Sequence, residues 1–379
     1  MSDALIVDAV RSPIGRRNGS LAGTRGDELA GQVLNGLVAR HDLDPAEVED
    51  VQMGCVTQIG EQGWNIGRMA PLVAGWPETV CGTTVDRQCG SSLQAAFNAA
   101  TAVHAGQLDV VVAAGVESMS RVPMGSNGGD LSDRLHEHWQ IVPQGISAEV
   151  LAAEWGLTRE ALDAYSLESH RRSLAAIDEG RFEGEIVPVE TGAAGAAVLF
   201  AVDEAPRRDT SAEKLAALAP AFLPDGVVTA GNSSQIVDGA AAVLVTSEAA
   251  ASRLGLEPRA RFVAFGLSGV DPHRMLHGNP EACRKALERA RLSWDDIAVI
   301  EVNEAFASVV LAWAADLCPD MGRVNVNGGA IALGHPLGCS GVRLTATLLG
   351  ELERSGGRFG LQTMCEGGGM ANALVVERL

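Results

Sequence analysis

The chain alternates between short apolar runs and longer segments whose apolar residues recur at helical spacing. Residues 4–10 and 110–115 are rich in β-forming side chains, whereas 26–39 and 91–105 carry apolar residues three and four positions apart. Strands that alternate with helices are typical of βα units, in which a largely parallel sheet is buried between helices. The pattern therefore predicts an α/β fold.

The second half of the chain repeats the pattern of the first. Residues 292–300 resemble 43–51 at an offset of 249 positions, and at an offset of 250 the run opened by Cys339 matches the run opened by Cys89. Two matches at nearly one offset indicate a duplicated unit of about 120 residues. The alternative is that two α/β segments resemble each other by chance.

The block between the two units, residues 118–256, has a different character. Its segment 123–133 is rich in Gly, Pro and charge, 147–178 has a helical pattern, and the alanine- and glycine-rich 191–197 predicts a flexible loop. We interpret the block as a ligand-binding lid whose last part returns to the N-terminal unit. The predicted domains are 1–117, 118–256 and 257–379.

Charge restricts the partners of this protein. The 29 basic and 48 acidic side chains give a formal net charge of −19, and the only lysines are Lys214 and Lys285. Phosphate contacts need clustered Lys and Arg, so the acid excess argues against nucleic acid or an anionic membrane as a partner. An anionic ligand would need a local arginine cluster.

The lack of targeting signals and the cysteine content of the sequence predict a cytoplasmic protein. The first residues show neither the basic nor the long apolar region of a signal peptide, and the apolar stretch 193–202 is about half the length that crosses a bilayer. The seven cysteines are odd in number and include no Cys-x-x-Cys, so neither a disulfide framework nor a metal site is expected. We expect free thiols, of which one can be catalytic.

Two glycine-dense stretches contain candidate catalytic side chains. In residues 85–92 a small-residue turn leads from a strand into a helix, where the helix N-terminus would favour a Cys89 thiolate and lower its pKa. In 325–338, His335 stands between Gly334 and Pro336 and could act as a general base toward a thiol. The alternatives are a buried structural cysteine and a core histidine.

Two further stretches add polar groups. In 364–370, Cys365 is followed within two positions by Gly367 and two more glycines, which allow backbone N–H groups to approach a reacting oxygen or simply form a hairpin turn. In 302–307, Asn303 lies at a strand-to-helix junction, as a helix cap or as a polar group that faces a cavity.

Together and in this order, the four stretches resemble those of the thiolases. The resemblance runs from residues 7–15 to the C-terminus, and 115–120, 147–149, 229–234 and 238–241 are similar to family segments as well. It implies a thiolase-like α/β fold, with a duplicated core in layers αβαβα and an inserted loop domain. It also implies a homodimer or homotetramer.

The resemblance implies a role for each candidate. Cys89 is similar to the nucleophile that takes the acyl group as a thioester, and His335 to its activating base. Cys365 is similar to the second acid/base, which moves a proton at the α-carbon of the acetyl unit. Asn303 would hold a water that forms one oxyanion hole with His335, and the backbone N–H groups of Cys89 and Gly367 would form the other.

The implied reaction is CoA-dependent thiolytic cleavage of a 3-ketoacyl-CoA, with coenzyme A as co-substrate and no permanently bound cofactor. Ser234 is similar to the serine that meets the pantetheine arm, and Arg207 or its neighbour Arg208 could face the CoA phosphates. Met275 and Phe306 match apolar positions of the acyl pocket, although either could simply belong to the core.

Several positions depart from the family pattern. Pro143 and Gln144 replace a His-Met pair associated with small-substrate pockets, and Glu366 is charged where an apolar residue is frequent. Asn279 and the small residues around Gly278 could leave room beside Met275. These departures resemble actinobacterial degradative and steroid-type thiolases and predict a substrate bulkier than acetoacetyl-CoA. The alternative is a biosynthetic acetoacetyl-CoA thiolase.

Two other classes remain as rivals. A ketoacyl-ACP synthase would share the duplicated core, but it would use two histidines and lack Cys365. A non-catalytic acyl-CoA-binding protein would not account for a complete catalytic set.

Overall fold

The structure is a computed structural model that describes residues 3–192 and 198–379. The large sheet and a small two-stranded sheet contain the strands β1 (Ala4–Arg11), β2 (Gly15–Arg16), β3 (Asp50–Gly54), β4 (Cys81–Val85), β5 (Val110–Ser118), β6 (Val189–Thr191), β7 (Val198–Phe200), β8 (Val237–Ser247), β9 (Ala260–Gly269), β10 (Ile297–Val302), β11 (Phe359–Glu366) and β12 (Met370–Arg378). The α-helices are α1 (Gly26–Ala39), α2 (Ile66–Val73), α3 (Ser91–His104), α4 (Asp133–His138), α5 (Gln144–Glu154), α6 (Arg159–Asp178), α7 (Ala212–Ala216), α8 (Glu248–Leu254), α9 (Asn279–Ala290), α10 (Ala307–Leu317), α11 (Ala330–Leu333) and α12 (Ser340–Ser355).

The large sheet is mixed, so the expectation of a largely parallel sheet was wrong. Its order is β10-β11-β12-β9-β1-β8-β5-β3-β4, with β2 paired to β8. Parallel pairing joins β10 to β11, and β3 to both β4 and β5. The pairs formed by β1, β8, β9 and β12 are antiparallel. The physical reason is that β8 and β12 return antiparallel to β5 and β11, whose neighbours on the other side, β3 and β10, are parallel.

The duplication predicted from the sequence is present in the fold. The order β3-β5-β8-β1 in the first half matches β10-β11-β12-β9 in the second, with the same relative directions. The central helices α3 and α12 meet at their N-terminal ends, where the Val342 N–H donates to Ser92 Oγ at 3.0 Å. Helices α1 and α2 cover one outer face and α9 and α10 the other, which gives the predicted layers αβαβα.

The local patterns explain why these elements form where they do. Every residue of β1, β5 and β8 is buried, as expected for strands covered by helices on both faces. The helical pattern at 147–178 is two helices rather than one. The chain breaks at Gly156, whose φ is 62°, and Thr158 then caps α6 by accepting the Ala161 N–H.

The inserted block contributes elements to two different places. Helices α5, α6 and α7 lie beside α10 and α11, next to the site described below, whereas β8 lies inside the first half of the large sheet. Of the segment predicted as a flexible loop, Thr191 ends β6, and 193–197 lie outside the described residues. In the part of the chain that the structure describes, no helix is both long and apolar enough to cross a membrane.

Candidate active site

Cys89 lies at the predicted turn between β4 and α3. Gln88 before it has a left-handed backbone with φ of 48°, and Gly90 after it is the N-cap of α3. The Gln88 carbonyl accepts two hydrogen bonds from Ser91, one from its backbone N–H and one, at 2.5 Å, from its hydroxyl. This tight turn holds the Cys89 side chain, which is only 4% exposed, at the entrance to the helix.

The prediction that the helix N-terminus lowers the pKa of Cys89 was wrong. Burial and the negative charge of Glu366 raise the pKa of this thiol to about 12, although the backbone N–H groups of Gly367 and of Cys89 itself act in the opposite direction. Desolvation of a thiolate therefore outweighs the partial charge of the helix end. Cys89 rests as a thiol and needs a base to become a nucleophile.

His335 is buried and has a defined pattern of hydrogen bonds. Its Nδ1 lies 2.5 Å from Ser340 Oγ, and that hydroxyl donates its hydrogen to the Pro336 carbonyl at 2.9 Å. Ser340 therefore accepts from Nδ1–H, which makes Nε2 the hydrogen-bond acceptor of the ring. Burial, helped by the positive charge of Arg343, lowers the pKa of His335 to about 3, so the ring is neutral.

Asn303 faces a polar neighbour and is not a helix cap. Helix α10 begins only at Ala307, with Phe306 as its N-cap. The Asn303 side-chain amide, Nδ2, donates to His335 Nε2 at 3.3 Å. Its Oδ1 is buried, with no hydrogen-bond partner within residues 3–192 and 198–379. A buried acceptor beside a histidine suits a polar ligand.

Cys365 and Gly367 belong to the hairpin between β11 and β12. The glycines form the turn, where Gly368 and Gly369 have φ of 82° and 88°. The pKa of Cys365 is raised by burial first, and then by the negative charges of Cys89 and Glu366. The sequence left open whether these glycines form a hairpin turn or allow a close approach to a reacting group. In the structure the same turn does both. The turn brings Cys365 and the Gly367 N–H to Cys89.

Sequence reasoning missed Glu117 and Ser340 as parts of the site. Glu117 is fully buried, and its carboxylate accepts the backbone N–H groups of Val56, Thr57 and Gly338 at 2.9, 3.0 and 2.9 Å. It thereby ties two loops together beside Cys89. A charged residue within an apolar strand was a usable signal for Glu117, whereas nothing in the sequence around Ser340 distinguished it from a helix-starting serine.

The candidate CoA residues line a cleft beside His335. Its volume is about 720 Å³, and both Ser234 and Arg207 line it together with Arg16 and Arg17. Arg208 is instead exposed and paired with Asp178 at 2.5 Å. Of the two arginines left open by the sequence, Arg207 is the one that faces the cleft.

Gln235 connects that cleft to His335. Its side-chain amide donates to the backbone carbonyls of Ala205, Ile331 and Ala332, at 3.2, 3.1 and 2.7 Å. The backbone carbonyl of Gln235 accepts the backbone N–H of His335 at 3.0 Å. The Gln235 side chain therefore has a structural role.

Met275 and Phe306 are core residues and neighbours of Cys365 at the same time. Both are buried in one apolar cluster that includes Cys365 and residues of α5. Gln144, at the start of α5, lies against Gly367, since a Cβ on that glycine would be 3.3 Å from Gln144 Nε2. The wall near Cys89 thus contains the residue that replaces the family's methionine.

Gly278 does not provide the extra room expected beside Met275. A Cβ on Gly278 would lie 2.8 Å from Ala371 Cβ and 2.9 Å from Ser268 Oγ, so the adjacent space is filled. Asn279, in the first turn of α9, is also buried. Additional substrate volume at this point would require movement of packed atoms.

Comparison with known families identifies the family and the fold. The family model described as "Thiolase, N-terminal domain" matches residues 4–249, and that described as "Thiolase, C-terminal domain" matches 256–378. The chain belongs to the thiolase family. The resemblance inferred from the four glycine-dense stretches is therefore confirmed, and so is the predicted fold.

Relatives and a solved structure of thiolases cover the whole chain. The protein named steroid 3-ketoacyl-CoA thiolase FadA6 of Mycobacterium tuberculosis is 48% identical, and the match covers 100% of this chain and 95% of that one. A 3-ketoacyl-CoA thiolase of Aliivibrio fischeri is 45% identical, with 100% of both chains covered. The crystal structure of the Bacillus anthracis acetyl-CoA acetyltransferase superposes with a TM-score of 0.93 at 42% identity, covering 100% of this chain and 99% of that one.

Proposed function

We propose that this thiolase cleaves a 3-ketoacyl-CoA with coenzyme A, giving acetyl-CoA and a shortened acyl-CoA. The observation that carries the proposal is the meeting of two cysteines, Cys89 and Cys365, at a turn whose Gly367 N–H faces the first sulfur. One sulfur can hold an acyl group while the other handles a proton at carbon. A ketoacyl-ACP synthase or a simple acyl-CoA-binding protein has no use for this pair.

In the first half-reaction His335 takes the Cys89 proton at Nε2, and the thiolate attacks the 3-keto carbon. The bond between C2 and C3 then breaks, leaving the acyl group on Cys89 and the acetyl-CoA unit as an enolate. Cys365 donates a proton to the enolate carbon, and acetyl-CoA leaves. An oriented acid or base contributes roughly 10²–10⁴-fold to such a step.

In the second half-reaction the Cys365 thiolate takes the proton of a new CoA thiol, and the CoA sulfur attacks the Cys89 thioester. Cys89 leaves as a thiolate and regains its proton from His335 Nε2. The Gly367 and Cys89 N–H groups stabilise the thioester oxyanion, while His335 and the polar pocket at Asn303 stabilise the enolate oxygen. Both sets of donors lie where negative charge develops on oxygen, and preorganised donors contribute most at such positions.

Coenzyme A would occupy the cleft that ends at Gln235. Arg16, Arg17 and Arg207 supply positive charge for its phosphates despite the net charge of −19, and Ser234 would meet the pantetheine arm. A local arginine cluster of this kind is what the sequence required of an anionic ligand. No permanently bound cofactor takes part in these steps.

The physiological direction is degradation, and the substrate is longer or bulkier than acetoacetyl-CoA. Gln144 at Gly367 and the names of the 3-ketoacyl-CoA relatives support this choice. The acetyl-CoA acetyltransferase description of the Bacillus anthracis structure keeps acetoacetyl-CoA synthesis as the second candidate. The filled space at Gly278 means that added length must extend past Met275 and Phe306.

A second copy of the chain and a cytoplasmic location complete the proposal. Strand β4 is at the end of the large sheet, and Trp64, Leu72 and Val73 near it are 89%, 41% and 50% exposed. Exposed apolar side chains beside a sheet edge favour association, here into a homodimer or a homotetramer. The free thiols of all seven cysteines suit a reducing compartment. Light scattering that gives a monomer at every concentration would refute the association.

The deciding experiment compares kcat/KM for thiolysis of acetoacetyl-CoA, 3-ketooctanoyl-CoA and a ring-bearing 3-ketoacyl-CoA. Each methylene buried in an apolar pocket contributes about 0.8 kcal/mol, or up to roughly fourfold in kcat/KM. We expect the eight-carbon or the ring-bearing substrate to be preferred. A clear preference for the four-carbon substrate supports the acetoacetyl-CoA reaction, and no thiolysis of any of the three rejects the proposed function.

A further inference from the structure

Glu366 is a buried carboxyl group in contact with the catalytic turn. It is 0% exposed and lies between Cys365 and Gly367 in the chain. A Cβ on Gly90 would lie 2.1 Å from Glu366 Oε1 and 2.6 Å from Asn372 Nδ2, so both side chains meet over the Cα of Gly90. Glu366 therefore occupies the space that a side chain at the residue after Cys89 would fill.

Among the residues that the structure describes, none forms a direct hydrogen bond with this carboxyl group. Neither Glu366 oxygen has a hydrogen-bond partner in residues 3–192 and 198–379, and the buried Asn372 Oδ1 likewise has none there. The positive charge that reaches Glu366 is that of Arg87, whose Nη1 lies 3.9 Å from the sulfur of Met370 rather than on the carboxylate. An ionised carboxylate in such a place is costly, because burial removes its water and nothing replaces it.

We propose that Glu366 is a positioning residue that holds a proton in the working enzyme and that, by remaining neutral, permits Cys89 and Cys365 to become thiolates. The inference rests on the proposed function, because both thiolates belong to that reaction. It gives a reason for a charged residue type at a position where apolar residues are frequent. It also links Glu366 to Gly90, since the glycine provides the room for the carboxyl group.

The charges and the burial around Glu366 affect its pKa, and the pKa values of the two thiols, in the directions that the proposal requires. Burial raises the pKa of Glu366 to about 8, and the Arg87 charge only partly offsets this. When Glu366 is ionised, its charge raises the pKa of both Cys89 and Cys365. The other carboxylate whose charge reaches Cys89 is Glu117, which is held by three backbone N–H donors. Below about pH 8 Glu366 is neutral, and above it the added charge opposes thiolate formation.

The test is the rate at which iodoacetamide alkylates Cys89 between pH 6.5 and 9.5, in wild type and in Glu366→Gln. Trypsin releases Cys89 alone in peptide 88–121 and Cys365 alone in 359–378, so mass spectrometry follows each sulfur separately. We expect the ratio of variant to wild-type rate at Cys89 to rise about tenfold across this range, since a like charge beside a thiol shifts its titration by about one unit.

Two further variants identify the cause. Glu366→Asp keeps a carboxyl group and should keep the wild-type pH dependence. Asp50→Asn also removes a carboxyl group, at the far end of β3 from Gly54, and should follow the wild-type curve. A ratio that is constant from pH 6.5 to 9.5 overturns the proposal, whether it stays near one, because the charge does not reach Cys89, or stays high, because Glu366 is always ionised.

The result can be separated from the fate of the proposed function. Alkylation needs no acyl substrate, so the ratio can rise as expected even if the wild type cleaves no 3-ketoacyl-CoA, and then only the proposed function fails. For an active enzyme, kcat/KM for thiolysis supplies the second measurement. The ionisation of the CoA thiol is common to both proteins and cancels in the ratio. A rising ratio for alkylation and thiolysis together supports both inferences.

Discussion

The two halves of this thiolase place a cysteine at the same point of the same helix, yet only one has the surroundings of a nucleophile. Cys89 precedes α3 and Cys339 precedes α12, 250 positions later. Burial raises the pKa of each thiol to about 12. The helix end and the burial are therefore not what distinguishes them.

The difference lies in what each helix start meets. Both cysteines belong to one buried apolar cluster, but Cys89 also meets the Gly367 N–H and Cys365 from the hairpin, whereas the charges that reach Cys339 are those of Arg343, Arg11 and Glu117. At the next position Gly90 makes room for Glu366, while its equivalent Ser340 accepts the Nδ1–H of the base. One copy of the duplicated unit holds the proposed nucleophile, and the other orients the histidine proposed as its base.

Replacing the two cysteines one at a time tests this comparison most directly. Cys89→Ala should lose acyl-enzyme formation and thiolysis together, by more than about 10⁴-fold, because no other residue can hold the acyl group. Intact mass after incubation with acetyl-CoA and thiolysis rates measure the two losses. Cys339→Ala is the matched control and should cost about 1 kcal/mol of stability while it still becomes acylated. Normal acylation of Cys89→Ala would refute the assignment.

Cys365→Ala separates the two sulfurs of the active site. Transfer of an acetyl group from acetyl-CoA to Cys89 requires no proton at carbon, so acylation should continue. Carbon–carbon cleavage should fall by roughly 10²–10⁴-fold, the usual contribution of a positioned acid. The mass shift on peptide 88–121 and the rate of thiolysis are the measurements. Cleavage at the wild-type rate would show that another group handles the proton.

Ser340→Ala tests the supporting role of the second helix. The variant leaves the Nδ1–H of His335 without its acceptor, at a cost of about 1–3 kcal/mol, so kcat should fall about 10- to 100-fold. Thr347→Val, two turns further along α12, also removes a buried hydroxyl and should affect kcat far less. Unchanged kcat in Ser340→Ala would mean that the imidazole is oriented by other contacts.

His335 gives the second half a source of acid sensitivity that Val85, at the equivalent position of the first half, cannot supply. The pKa of His335 falls from 6.5 unfolded to about 3 folded, so the unfolded chain binds more protons between these values. Stability should therefore decline as pH falls from 6.5 toward 3. At pH 5 this group accounts for about 2 kcal/mol. Urea unfolding of His335→Gln should show a smaller loss from pH 7 to pH 5, and equal losses would contradict the assignment.

The sequence was sufficient for features that follow from local pattern or internal comparison. The offset that aligned Val51 with Ile300 correctly joined β3 to β10, and the predicted bounds of α1 agree with the structure. The family resemblance brought Cys89, Cys365 and Gly367 into one site. The structure places the Gly367 N–H and Cys365 beside Cys89, and the roles that the resemblance implies for them stay predictions.

What could not be predicted depends on partners distant in sequence. The direction of each strand depends on where β8 and β12 return, which periodicity does not specify. The pKa of Cys89 depends on Glu366, which lies 277 positions later in the chain. The room expected at Gly278 was absent because Ala371 fills it from β12. Each error concerned a neighbour in space rather than a local preference.

The position of β8 has a consequence for the order in which the molecule can be built during synthesis. This strand lies between β1 and β5, although more than a hundred residues separate it from either in the chain. Until the ribosome has released residue 247, no strand joins β1 to β5, and the first half remains divided between β1 and the parallel strands β3, β4 and β5. Pairings between strands distant in sequence form slowly, and until they form the unpaired strand edges are exposed and prone to aggregation. The nascent chain is therefore most dependent on chaperones just before the inserted block is complete.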